Sequence, residues 1–257
     1  MRTSQWSSSY KVPVKKGLQT MIRALLKRRR RQILIDVSTQ KDFFFADGKA
    51  CIRNHRRVLS NLRRVLAWAR LKHIPVISTC DSYPDNNGKS AVNYCLDGTT
   101  GQEKIHYTLL ENRISFPADG NTDLPRDMLK KYRQVILHKR CIDPFSEPRI
   151  DRLLTEINAT NFLLVGASAE DTVQAMALGL IQRGKNVTII TDAIGSLNKK
   201  QSELAIRKMK AKGAKLIESK KLAGTTHLKK VGACKCQTCS KQPDLAQAPV
   251  ATAAAHN

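Results

Sequence analysis

Long apolar runs are missing from this sequence. None approaches the ~18 residues that a membrane-spanning helix requires, so no span is expected. The N-terminus lacks the apolar centre of a secretory signal peptide. Cysteine is sparse and odd in number: Cys51, Cys80, Cys95 and Cys141 are scattered, and Cys234, Cys236 and Cys239 are clustered. That distribution does not read as a secreted disulfide framework, and a reducing, cytoplasmic setting is the expectation. The start of the chain is acid-free and contains Ser and Arg. A mitochondrial presequence has the same character, so targeting stays open.

Acid is also scarce. The chain has 21 Asp and Glu against 45 Lys and Arg, for a net charge of +24 over 257 residues. The excess is not uniform. Residues 1–31 carry ten bases and no acid, 32–198 carry 22 bases and 18 acids, and 199–241 carry 13 bases and two acids. A nearly balanced centre thus lies between two basic extensions. Concentrated positive charge attracts polyanions by steering and counterion release. The expected partner is nucleic acid, an anionic membrane surface or an acidic protein. Arg28, Arg29, Arg30, Arg31, Lys229 and Lys230 are the candidate contacts. A solvated basic surface without a specific partner is the plainer alternative.

Three regions follow: a basic extension over 1–31, an α/β domain over 32–218, and a tail over 219–257, first Lys/Cys-rich and then Ala/Pro-rich. Within the first, Leu18, Met21, Ile22, Leu25 and Leu26 have helical spacing and could dock on the domain, lie on a membrane or flank phosphate contacts. Short apolar runs predict strands at 33–37, 76–79, 134–138, 161–166, 186–191 and 214–217. Amphipathic stretches predict helices at 55–72, 148–158, 170–183 and 199–212. The irregular polar stretch 81–126 has room for two short strand-like pieces. Alternating strand and helix implies a three-layer, doubly wound α/β domain with a mostly parallel six-stranded sheet. Ligands of such sheets bind beyond the carboxyl ends of the strands.

Those ends present Ser38, Asp81, Tyr83, Lys139, Ser168 and Thr172, among others. Lys139 directly follows an apolar run and could hold an anion, tune an acid or simply reach solvent. In GASAEDT, residues 166–172, small residues including Gly166 and Ser168 allow backbone N–H groups to face a ligand. The same turn can equally be a tight connection in which Ser168 and Asp171 cap the next helix.

Five segments, in order, resemble the isochorismatase-like superfamily of nicotinamidases and other cysteine hydrolases. They are ILIDVSTQKDFFFADGK, PVISTCDSYP, YCLDGTTGQEKI, VILHKRCIDPF and FLLVGASAEDTVQAMALGLIQRGKNVTIITDAIG. The resemblance spans roughly residues 32–196 and implies the fold just described. It also implies a Cys nucleophile, an Asp base and a Lys. Lys139 falls on the lysine position. Thr172 falls where the Cys is expected, and alignment of Gln40, Asp42 and Phe43 puts Ser38 where the Asp is expected. Asp81 matches a metal-facing aspartate, but Tyr83 replaces the expected His.

A hydroxyl is a far weaker nucleophile than a thiolate and needs a positioned base, which Ser38 cannot be. The leading expectation is therefore a catalytically degenerate protein that binds or scaffolds through its basic ends. An active hydrolase of a small amide or vinyl ether is the alternative, with Asp36 as a substitute acid or base because it shares a strand face with position 38. A small-ligand sensor using the residual pocket is a third. No cofactor is expected in the domain. Cys234, Cys236, Cys239 and His227 could hold zinc, or the cysteines could be unliganded. A homo-oligomer is also compatible with the sequence.

Overall fold

The computed structural model describes residues 32–85 and 92–224. The expected contacts Arg28, Arg29, Arg30, Arg31, Lys229 and Lys230, and the group Cys234, Cys236, Cys239 and His227, lie outside the described residues.

Seven parallel strands form one sheet: β1 (Gln32–Val37), β2 (Val76–Asp81), β3 (Arg113–Phe116), β4 (Gln134–Lys139), β5 (Asn161–Gly166), β6 (Val187–Ile194) and β7 (Lys215–Ile217), in the order β3-β4-β2-β1-β5-β6-β7. The expected six strands are all present. The seventh, β3, comes from the irregular polar stretch and occupies the edge, pairing Arg113–Phe116 with Gln134–Leu137. An edge strand buries little, so its residues alternate between exposed and half-buried and leave no apolar run to read.

Helices cover both faces: α1 (Lys41–Phe44), α2 (His55–Leu71), α3 (Met128–Lys131), α4 (Pro148–Glu156), α5 (Thr172–Gln182), α6 (Lys199–Ala211) and α7 (Ser219–Ala223). Val58, Leu62, Val65, Leu66 and Ala69 recur at helical spacing and seal α2 against Leu34, Val76, Leu163 and Val165 on one face. Ile150 and Leu154 of α4, Val173, Met176 and Leu180 of α5, and Met209 of α6 pack against Ile35, Val37, Ile77, Leu137 and Leu164 on the other. Alternate residues of each strand therefore feed separate cores. Past residue 218, α7 packs on α2, and Ser219 Oγ donates to Asp192 Oδ2 at 2.7 Å. The folded unit thus runs through α7 into the region read from the sequence as tail.

The strand order places β1 at the turning point. The chain first builds outward through β2, β4 and β3, then crosses to add β5, β6 and β7 on the other side. Loops leaving β1 and β5 part there, and sheets of this kind bind ligands at that edge.

Candidate functional site

Four adjacent strands deliver the candidate residues to that edge. Asp81 and Lys139 are the paired last residues of β2 and β4, Ser38 follows β1, and Gly166 ends β5. Gly166 has φ +119°, and a Cβ there would collide with the Val37 carbonyl oxygen, so the close approach of β5 to β1 demands glycine. Beyond it, Ser168 Oγ donates to Asp171 Oδ2 at 2.7 Å and Val173 N–H donates to Ser168 O at 3.0 Å. The turn is thereby fixed and sets Thr172 as the first residue of α5, two residues later than the helix predicted from the sequence.

Lys139 is fully buried. Its Nζ forms an ion pair with Asp81 Oδ1, donates to Cys141 O at 2.9 Å, and stands 3.5 Å from Thr172 Oγ1. Asp81, Lys139 and Thr172 are thus one cluster. Gln40 fixes it from below: its amide donates to Asp81 O and its carbonyl accepts from Asp81 N–H, both at 2.7 Å. Asp42 is structural, accepting from Cys95 N–H at 2.6 Å and Lys49 N–H at 3.0 Å. Phe43 and Tyr83 each meet Tyr94 edge to face, with ring centroids 5.3 and 5.6 Å apart.

Ser38 is buried in the left-handed region, with φ 47°. Asp and Asn adopt that conformation more readily than Ser, so the backbone suits the aspartate that the alignment expects. Its N–H donates to Thr79 O at 3.0 Å, while its Oγ has no hydrogen-bond partner among the described residues.

Asp36 does not join this cluster, which corrects its reading as a substitute acid or base. It alternates with Ile35 and Val37 and so faces the other side of the sheet, where Oδ2 accepts from Lys104 Nζ at 2.7 Å and Ser78 Oγ at 2.9 Å. Lys104 Nζ also donates to Thr39 Oγ1 at 2.6 Å. The shared face with position 38 fails because Ser38 leaves the extended conformation. Sequence reasoning missed Lys104. It sits in the irregular polar stretch, and only the return of that loop to Thr39, through Ile105 N–H, brings it to Asp36.

Neither Cys80 nor Cys95 supplies the missing nucleophile. Burial pushes the Cys80 thiol up to about 12 and drives Cys95 up as well, so neither yields thiolate near neutral pH. Burial likewise raises the Tyr83 phenol, which disfavours the phenolate a metal would need. Asp81 is already paired with Lys139. Among the described residues, no three His, Cys, Asp or Glu side chains group to hold a metal ion, and the edge as built does not fit one.

Comparison with known proteins agrees with this architecture. A search of curated protein sequences found no significant match. Among solved structures, the zinc-bound pyrazinamidase of Pyrococcus horikoshii is 21% identical with a TM-score of 0.58, over 73% of this chain and 99% of its own. An isochorismatase family protein of Desulfovibrio vulgaris is 18% identical with a TM-score of 0.60, over 76% and 97%. The MAR1 ribonuclease of Caenorhabditis elegans is 20% identical with a TM-score of 0.52, over 86% and 95%. At these identities the likeness establishes the fold. The isochorismatase domain model matches residues 32–221, most of the chain, and the protein belongs to the isochorismatase family, whose members are hydrolases.

Proposed function

We propose that this member of a hydrolase family no longer hydrolyses by the thiolate route and acts as a binding or scaffold protein whose basic ends hold a polyanion. One observation carries the first half: the side chain at the nucleophile position is the Thr172 hydroxyl, and its neighbour is an ammonium, not a base. A hydroxyl attacks a carbonyl only when a positioned base takes its proton. Asp81 is spent on Lys139, Asp171 on Ser168, and Ser38 carries no carboxylate. A nucleophile and its base act as a unit, so losing both leaves little of the mechanism. The Lys139–Asp81 pair remains, buried at the carboxyl edge, and is the feature on which a secondary role as a small-ligand sensor would rest.

The second half rests on the charge of the ends, +10 over residues 1–31 and +11 over 199–241, against +4 over 32–198. The neighbours named pyrazinamidase and ribonuclease set the competing readings, in which a small amide or RNA is cleaved.

The test is turnover by the purified full chain on nicotinamide, pyrazinamide, isochorismate and RNA. We expect none above background for the native protein. Ammonia release should become measurable in Thr172→Cys/Ser38→Asp, which restores thiol and carboxylate on a backbone shaped for them. Native turnover of any of these substrates that disappears in Lys139→Ala overturns the proposal in favour of an active hydrolase.

A further inference from the structure

The folded domain adds a basic surface of its own to the two extensions. Arg53 precedes α2, Arg56 and Arg57 lie in its first turn, Lys199 and Lys200 begin α6, and Lys221 lies in α7; all six are exposed. They are distant in sequence but are drawn to one rim around the carboxyl end of β6. Arg53 N–H donates to Ser196 O at 3.1 Å, which ties the approach to α2 to the loop before α6. Asn61 Nδ2 donates to Asp192 O and Ser219 N–H to Asp192 Oδ1, both at 2.7 Å, which ties α2 to α7 through β6.

None of the six side chains makes an ion pair or hydrogen bond with another described residue. The acids of the region are already engaged. Asp192 accepts from Ser219, Glu170 accepts from Leu197 N–H at 2.7 Å and Asn198 N–H at 2.6 Å, and Glu218 pairs with Lys220 at 2.8 Å. Glu218 also feels the charge of Arg57 and Lys221, but six cations held together with so little neutralisation cost the fold self-repulsion.

We infer that this rim binds the phosphate backbone of duplex nucleic acid. The inference rests on the polyanion reading and narrows it. Guanidinium groups grip phosphate oxygens in pairs, and three of the six residues are arginines. Single strands are bound by stacking bases on aromatic rings, and every described aromatic side chain is buried or half-buried. A membrane surface asks for an apolar face beside the charge. Here the apolar stripe of α2 is turned into the core, and the exposed Leu197 and Leu204 stand singly. A duplex, with one charge per ~1.7 Å, needs only the cations.

The experiment uses the full chain with labelled RNA and DNA duplexes, a single-stranded homopolymer, phosphatidylserine vesicles and polyglutamate, each titrated from low to physiological salt. One variant neutralises the rim (Arg53→Ala, Arg56→Ala, Arg57→Ala, Lys199→Ala, Lys200→Ala, Lys221→Ala). A second neutralises the extensions (Arg28 to Arg31→Ala, Lys229→Ala, Lys230→Ala). All the replaced rim side chains are exposed, so the melting transition serves as a check that the fold is kept. We expect the rim variant to lose roughly ten-fold or more in duplex affinity and its salt slope to fall by about 3 to 5. Duplex binding that is unchanged in the rim variant but lost in the extension variant overturns this inference and leaves the polyanion reading standing. Preference of the native chain for the single strand, vesicles or polyglutamate does the same. Failure of the native chain to bind any of the probes overturns the polyanion reading itself.

Discussion

Two buried Lys–Asp pairs sit on opposite faces of the same sheet. Lys104 meets Asp36 at the penultimate residue of β1, opposite Ser78 within β2, inside a shell of Ser78, Thr39, Thr108 and Gln134. Lys139 meets Asp81 at the last residues of β4 and β2, beside Thr172. The first pair is walled in by side chains that satisfy one another, and it holds the 103–108 loop to the sheet. The second is buried as deeply but lies at the carboxyl ends of its strands, where sheets of this kind bind ligands. Burial alone therefore does not mark the candidate pair. What separates them is position along the strand and the presence of a hydroxyl held by the turn after β5.

The sharpest break of this comparison is Lys104→Met. It leaves the Asp36 carboxylate in the core with one charged partner gone and Oδ1 already without a partner among the described residues. Removing one member of a buried pair costs about 3–5 kcal/mol, and urea denaturation should show a loss of that size. Asp36→Leu/Lys104→Met, which removes both charges, should regain most of it. If Lys104→Met melts like the native chain, Asp36–Lys104 is not the structural pair.

Lys139→Met should cost about the same, ~3–5 kcal/mol, because Lys139 and Asp81 are buried as deeply as Lys104 and Asp36. Its distinct effect should fall on the carboxyl edge: any small-ligand affinity of the protein should drop in Lys139→Met and stay in Lys104→Met. Loss of that affinity in Lys104→Met as well would erase the distinction between the two pairs.

The sequence made the second pair easier to find than the first. Six strands are legible because parallel strands covered on both faces read as unbroken apolar runs, as ILIDV and FLLVG do. Lys139 and Thr172 were legible because each lies at a fixed offset from such a run, and Ser38 because Gln40, Asp42 and Phe43 set its register. Lys104 and β3 were not, since both lie in the stretch whose structure comes from loops folding back. Lys104 needs Lys41 N–H on Glu103 O and Ile105 N–H on Thr39 O to reach Asp36, and no local pattern encodes those contacts. Asp36 misled for the related reason that strand alternation was extended one residue beyond the strand.

The smallest effect gives the finest test. His138 lies one residue before Lys139 and faces the opposite way, toward the Asp36 side. Burial holds its imidazole below the ordinary value of 6.5, Lys104 and Arg140 push the same way, and Asp97 pushes back. Because the folded state disfavours the charged ring, the associated stability is present above pH 6.5 and is lost as the pH falls through the lowered value. Proton titration of His138 by NMR should show it rising toward its ordinary value in Asp36→Asn/Lys104→Met, yet staying below it because burial is the larger cause. Lys139→Met should leave the titration where it is, since the sheet lies between Lys139 and the ring. A shift in the second variant and none in the first would mean that the two lysines do not divide the faces of the sheet as their hydrogen bonds indicate.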